Sequence, residues 1–116
     1  MDLQRYDLVG GAPVILYLQA PKEKVWGILL ALTTAGVVVR GLDLVVFEDW
    51  MRQEARGEDA GLGLGTIFYP MYRLERIERD ETLGTLVSYA DRFHREVGRT
   101  VFEAAGFERG RGAIDS

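Results

Sequence analysis

The residues of this chain whose types and spacing could do chemistry cluster between Phe68 and Arg79. Arg73, Arg76 and Arg79 recur every third residue, interleaved with Glu75 and Glu78 and preceded by Phe68, Tyr69 and Tyr72. Exposed together, such aromatics can stack on bases, and guanidinium forks can hold phosphate or carboxylate. The glutamates offer a competing arrangement, cross-strand ion pairs whose alternating signs protect a sheet edge from further pairing. Together with Arg40, from a separate segment, the candidate binding residues are Arg40, Tyr69, Tyr72, Arg73 and Arg76.

Other chemistries find fewer residues to work with. His94 is the only histidine, and Ser88 and Ser116 are the only serines, so neither a Ser–His–acid triad nor a paired-histidine metal site can be assembled. With no cysteine, disulfides, thiolate catalysis and Cys-based zinc or iron–sulfur sites are absent by inventory. Gly61-Leu62-Gly63-Leu64-Gly65 is Gly-rich, but no Lys-Ser/Thr follows it and it opens a strand pattern instead of a helix, so it reads as a flexible turn. Glu48, Asp49, Glu54, Glu58 and Asp59 lack the alternating spacing of a calcium loop and read as a solvated helix face and loop. No catalytic residue, metal or cofactor is implied.

At 116 residues the chain fits one domain, and 47% hydrophobic with 28% charged residues is ordinary globular composition. A net charge of −4 disfavours broad attraction to nucleic acid or anionic lipid, though not a local basic face. The first seven residues lack a basic and then apolar leader pattern, and no apolar run approaches the ~18 residues of a membrane span, which predicts a cytoplasmic protein with no membrane partner. The absence of Asn and Cys is a thermophile-like bias.

The elements that must position the candidate residues follow from periodicity. Val14 to Leu18, bounded by Gly10-Gly11-Ala12-Pro13 and Ala20-Pro21, reads as a buried strand. Lys22 to Asp43 can be read as a helix with the stripe Val25, Ile28, Leu29 and Leu32, or as a β-hairpin over 24–42 turning at Thr34-Ala35-Gly36. The hairpin is preferred. Gly27 would cost about 1 kcal/mol inside a helix, Thr33-Thr34 is a poor last turn, and Val37-Val38-Val39 follows Gly36 at once.

Asp43 then caps a short helix reaching about Arg56, with Phe47, Trp50 and Met51 on one face and Gly57 as its stop. Thr66 to Tyr69 is a strand that Pro70 bends or confines to an edge before Met71 to Ile77. Ser88 caps a final helix carrying Tyr89, Ala90, Phe93, Val97 and Val101, which Gly98 weakens or breaks and Gly106 ends. Residues 1–106 form the expected domain and 107–116 a C-terminal tail.

Two segments resemble known families. Val37 to Asp43, with its Arg40-Gly41 pair, resembles the Arg-Gly segment of Sm-like RNA-binding proteins, which implies a small bent barrel. Read as a helix, the stretch from Ile28 to Val39 is similar to the first helix and second strand of ACT-type ligand-sensing domains, which implies an effector interface between subunits. The combined expectation is an α+β fold: a small bent antiparallel sheet or partial barrel, one short helix, and a C-terminal helix packed on it. Its expected function is a non-catalytic binding or interaction module that self-associates, most simply as a dimer, with a further protein partner conceivable. Single-stranded nucleic-acid binding and small-ligand sensing are the alternatives.

Overall fold

The computed structural model describes residues 2–57 and 63–107. Five strands form one antiparallel sheet: β1 (Pro13–Leu18), β2 (Glu23–Leu32), β3 (Gly36–Asp43), β4 (Gly65–Pro70) and β5 (Leu74–Arg79), in the order β4-β3-β2-β1-β5. The ambiguous segment is therefore a hairpin, with Val25 opposite Asp43 and Leu32 opposite Val37. The helical alternative, and with it the ACT-type likeness, does not hold. Gly27 pairs with Gly41, and a Cβ on Gly41 would lie 2.3 Å from the Trp26 carbonyl oxygen. Glycine is needed here because the two backbones approach too closely for any side chain.

The sheet is open but strongly curled, and its connectivity requires this. β4 and β5 occupy opposite edges, yet only the 3-10 turn Met71–Arg73 joins them. Four inter-strand spacings of about 4.8 Å would separate the edges of a flat sheet by roughly 19 Å, farther than three residues in a 3-10 turn can reach. The connector is also bonded to turns at both ends of β2. Met71 N–H donates to the Ala35 carbonyl at 2.9 Å, and Gln19 N–H donates to the Arg73 carbonyl at 2.8 Å. A straight ten-residue strand would hold those turns about 33 Å apart, so β2 must coil, and the irregularity between Leu29 and Ala31 marks part of the bend.

Both faces of the curl contribute to the core. Inside lie Val14, Leu16, Leu18, Val25, Leu29, Val37 and Val39. Alternate residues point outward, and Ile15, Trp26, Ile28 and Leu42 pack beneath the helices. A 3-10 turn over Leu44–Val46, with Val45 N–H bonded to the Asp43 side chain at 3.0 Å, leads into α1 (Phe47–Ala55). The Asp43 cap is thus real, but the α-helical turns begin three residues later than the sequence suggests. Phe47, Trp50 and Met51 are buried as expected, and Gly57 has a φ of +68° beyond the helix end.

The final helical region is two helices. α2 (Tyr89–Val97) is capped by the Ser88 side chain and stops at Gly98, whose φ is +85°. Thr100 then opens α3 (Val101–Ala104) with a capping box to Glu103. Phe93, Val101 and Phe107 complete the outer core, where Trp50 stacks on Phe93 at 4.5 Å and Phe47 meets Trp26 edge-on at 5.2 Å. Of the expected tail 107–116, only Phe107 is described, and it is buried. Glu58, Asp59 and Gly61-Leu62 likewise lie outside the described residues. No described helix is long and apolar enough to cross a membrane.

Candidate binding surface

The structure distributes the five candidate residues over different parts of the fold. Arg40 lies on the helix-bearing face of β3, where its Nη1 donates to the Ala105 carbonyl at 3.2 Å and its guanidinium lies 4.6 Å from the Phe107 ring centre. Arg73 is turned toward the β1–β2 turn. It donates to the carbonyls of Gln19 (2.7 Å) and Pro21 (3.2 Å) and forms an ion pair with Glu23 at 2.6 Å. Both guanidiniums donate to the protein's own backbone and to side chains, Arg40 Nε to Thr66 Oγ1 and Arg73 to Glu23, so their role in place is to hold segments together.

Arg76 is the more open arginine. It sits 3.8 Å from the Tyr17 ring centre and bonds Glu78 at 3.2 Å, while Tyr17 Oη donates to the same carboxylate at 3.0 Å. Burial, and then the Glu78 hydrogen bond, push the Tyr17 phenol above its ordinary pKa, keeping it a neutral donor. Tyr69 packs against the inner core, and burial raises its pKa as well. Tyr72 alone among the five projects freely, at 74% exposure.

Tyr72 belongs to a set the sequence did not single out as apolar surface. Phe68 (52% exposed), Met71 and Tyr72 fall within five residues around the corner between β4 and β5. The Phe68 ring covers Gly36, where an added Cβ would stand 2.8 Å from it, and Met71 is bonded to Ala35. Phe68 and Met71 therefore flank the β2–β3 turn. Tyr72 leans toward the other turn, its carbonyl accepting from Gln19 Nε2 at 3.0 Å. Among the described residues no strand pairs with the second edge of β4.

The groups with most chemical promise in isolation are structurally engaged. Asp80 is a buried carboxylate, but it accepts from Trp26 Nε1 and from the Tyr89 and Ala90 backbone N–H groups, each at 2.9 Å. The acidic face of α1 is tied to arginines: Glu48 to Arg52 and Arg92, Asp49 to Arg52, and Glu54 to Arg99. The Arg92 hydrogen bond holds the Glu48 carboxyl below its ordinary pKa. His94 is exposed on α2. Compared with known protein families, characterised proteins and solved structures, the chain matches none.

Proposed function

We propose that this protein is a non-catalytic binding module that self-associates through the corner carrying Phe68, Met71 and Tyr72. The observation that carries the reading is the exposure of three large apolar side chains within five residues, on and just after a strand whose outer edge is unpaired among the described residues. Single exposed apolar residues are commonplace, but a clustered set at an open edge favours association. Burying one such side chain contributes about 1.5–3 kcal/mol. The backbone edge adds hydrogen-bonding groups that pair with no strand among the described residues.

A symmetric dimer that pairs the corner with its own copy satisfies both features at once. A stable interface needs about 1,200–2,000 Å² of total buried surface, so neighbouring residues of β4 and the β2–β3 turn would have to join the three side chains. Sedimentation velocity over a concentration series tests the reading. The unmodified chain should sediment as a dimer, and Phe68→Ser with Tyr72→Ser should shift it to monomer without changing its circular dichroism. A wild-type chain that stays monomeric up to millimolar concentration rejects self-association.

A further inference from the structure

A second feature lies on the outer face of the sheet. The strand register places Lys24, Tyr17 and Arg76 in one row across β2, β1 and β5, since Tyr17 is opposite Lys24 on one side and Arg76 on the other. The neighbouring row contains Trp26 and Ile15, both buried beneath the helices. The Lys24 row therefore stands just where the helical cover ends. Next to it opens a groove of about 390 Å³ whose walls include Tyr17, Lys22, Glu23, Lys24, Glu75 and Arg76.

The charges in this groove are unbalanced. Lys24 Nζ lies 5.4 Å and the Arg76 guanidinium 3.8 Å from the same Tyr17 ring centre, so two cations converge on one aromatic. Glu78 offsets Arg76, and Glu23 is committed to Arg73. Lys22 and Lys24 have no ion-pair partner among the described residues, and both are exposed. They are the only two lysines of a chain whose net charge is −4. Among the described residues Glu75 is the one wall carboxylate without an ion-pair partner, and it shares the groove with two lysines that form no ion pair and with the Arg76 guanidinium.

We propose that this groove is a binding site for a small oxyanion-bearing molecule, its phosphate or carboxylate groups held by Lys22 and Lys24 with Arg76 alongside. The volume lies in the lower part of the range of small-molecule sites, about 300–1,000 Å³. Ammonium groups serve as mobile point charges for oxyanions, while a guanidinium supplies a planar fork. The walls rest on β1, β2 and β5, with Lys22 in the turn just before β2. The Tyr17 ring is engaged by cations, so recognition falls on the ligand's charged oxygens and not on a stacked base.

The experiment is a titration of the full chain followed by two-dimensional amide NMR, using inorganic pyrophosphate and citrate as separate probes, with chloride at matched ionic strength as control. The expected result is saturable shifts confined to the amides of Tyr17, Lys22 to Lys24 and Arg76. Tighter binding of pyrophosphate assigns the site to phosphate, and tighter binding of citrate assigns it to carboxylate. Lys22→Gln with Lys24→Gln, both at exposed positions, should keep the spectrum of the folded protein and weaken binding about tenfold or more. No saturable shift with either probe, shifts reproduced by chloride, or shifts unchanged in the double variant would each overturn the proposal. Self-association plays no part in it, since Phe68→Ser with Tyr72→Ser should leave the titration unchanged.

Discussion

Trp26 Nε1 donates a hydrogen bond to Asp80 Oδ2 at 2.9 Å, joining two buried residues 54 positions apart. The same carboxylate receives the first two backbone N–H groups of α2, and Asp80 N–H donates to the Pro13 carbonyl at 2.9 Å. Asp80 thus links β2, the start of β1 and the N-terminus of α2. A helix N-terminus leaves its first N–H groups without partners and is stabilised by negative charge. One buried carboxylate meets both needs and also satisfies the indole.

Replacing Asp80 by Ala should destabilise the protein by about 2–4 kcal/mol, because the Trp26 indole N–H would remain buried without an acceptor. Asp80→Asn, which keeps one oxygen and loses the charge, should cost about half as much. Urea denaturation followed by tryptophan fluorescence provides the measurement. An Ala variant within ~0.5 kcal/mol of wild type would show that the bridge contributes little.

Two glycines should respond to alanine for different reasons. Gly41→Ala puts a Cβ 2.3 Å from a backbone oxygen that cannot move aside, so a loss of about 2–4 kcal/mol is expected. Gly98→Ala meets open space but must hold a φ of +85°, which costs about 1–2 kcal/mol. Equal effects in thermal melts would contradict the assignment of steric contact to one and backbone strain to the other.

Arg40 holds the end of the described chain against the sheet. Arg40→Ala removes the bond to the Ala105 carbonyl and the contact with the Phe107 ring, a loss of about 1–3 kcal/mol. Native-state proteolysis should then cut near Arg99 faster than in wild type. Arg40→Lys should restore little, since one ammonium cannot reproduce the planar contact and the directed bond together.

The hairpin could be read in the sequence because three independent signals agreed: Gly27 misplaced in a helix, Thr33-Thr34 as a poor last helical turn, and Val37-Val38-Val39 directly after Gly36. A bent sheet was expected too, but the strand order that enforces the bend, with β4 and β5 at opposite edges, is recorded by no local pattern. Asp80 left no trace either, since its donors lie far upstream and in a helix that begins nine residues later. Thr100-x-x-Glu103 was a readable capping box, obscured by extending the Phe93–Val97–Val101 spacing across Gly98. The Arg and Tyr residues of 69–76 were visible as types, but their engagement with backbone carbonyls was not.

The acid side of the stability profile follows from Glu48 and Glu103. The Arg92 hydrogen bond lowers the Glu48 pKa, and hydrogen bonding within the Thr100 capping box lowers that of Glu103. A carboxyl whose folded pKa lies below its unfolded value binds fewer protons when folded, so its contribution is complete above the unfolded value, about 4.3 for Glu. That contribution disappears as pH falls through the folded pKa. Glu48 is nearly half exposed, so its pair with Arg92 is expected to contribute less than about 1 kcal/mol at neutral pH. The stability difference between wild type and Glu48→Gln should therefore be constant from pH 8 to about 5 and shrink toward zero as pH falls through the folded-state pKa. A difference that stays constant over the whole range would show that the ionised carboxylate is not what joins α1 to α2.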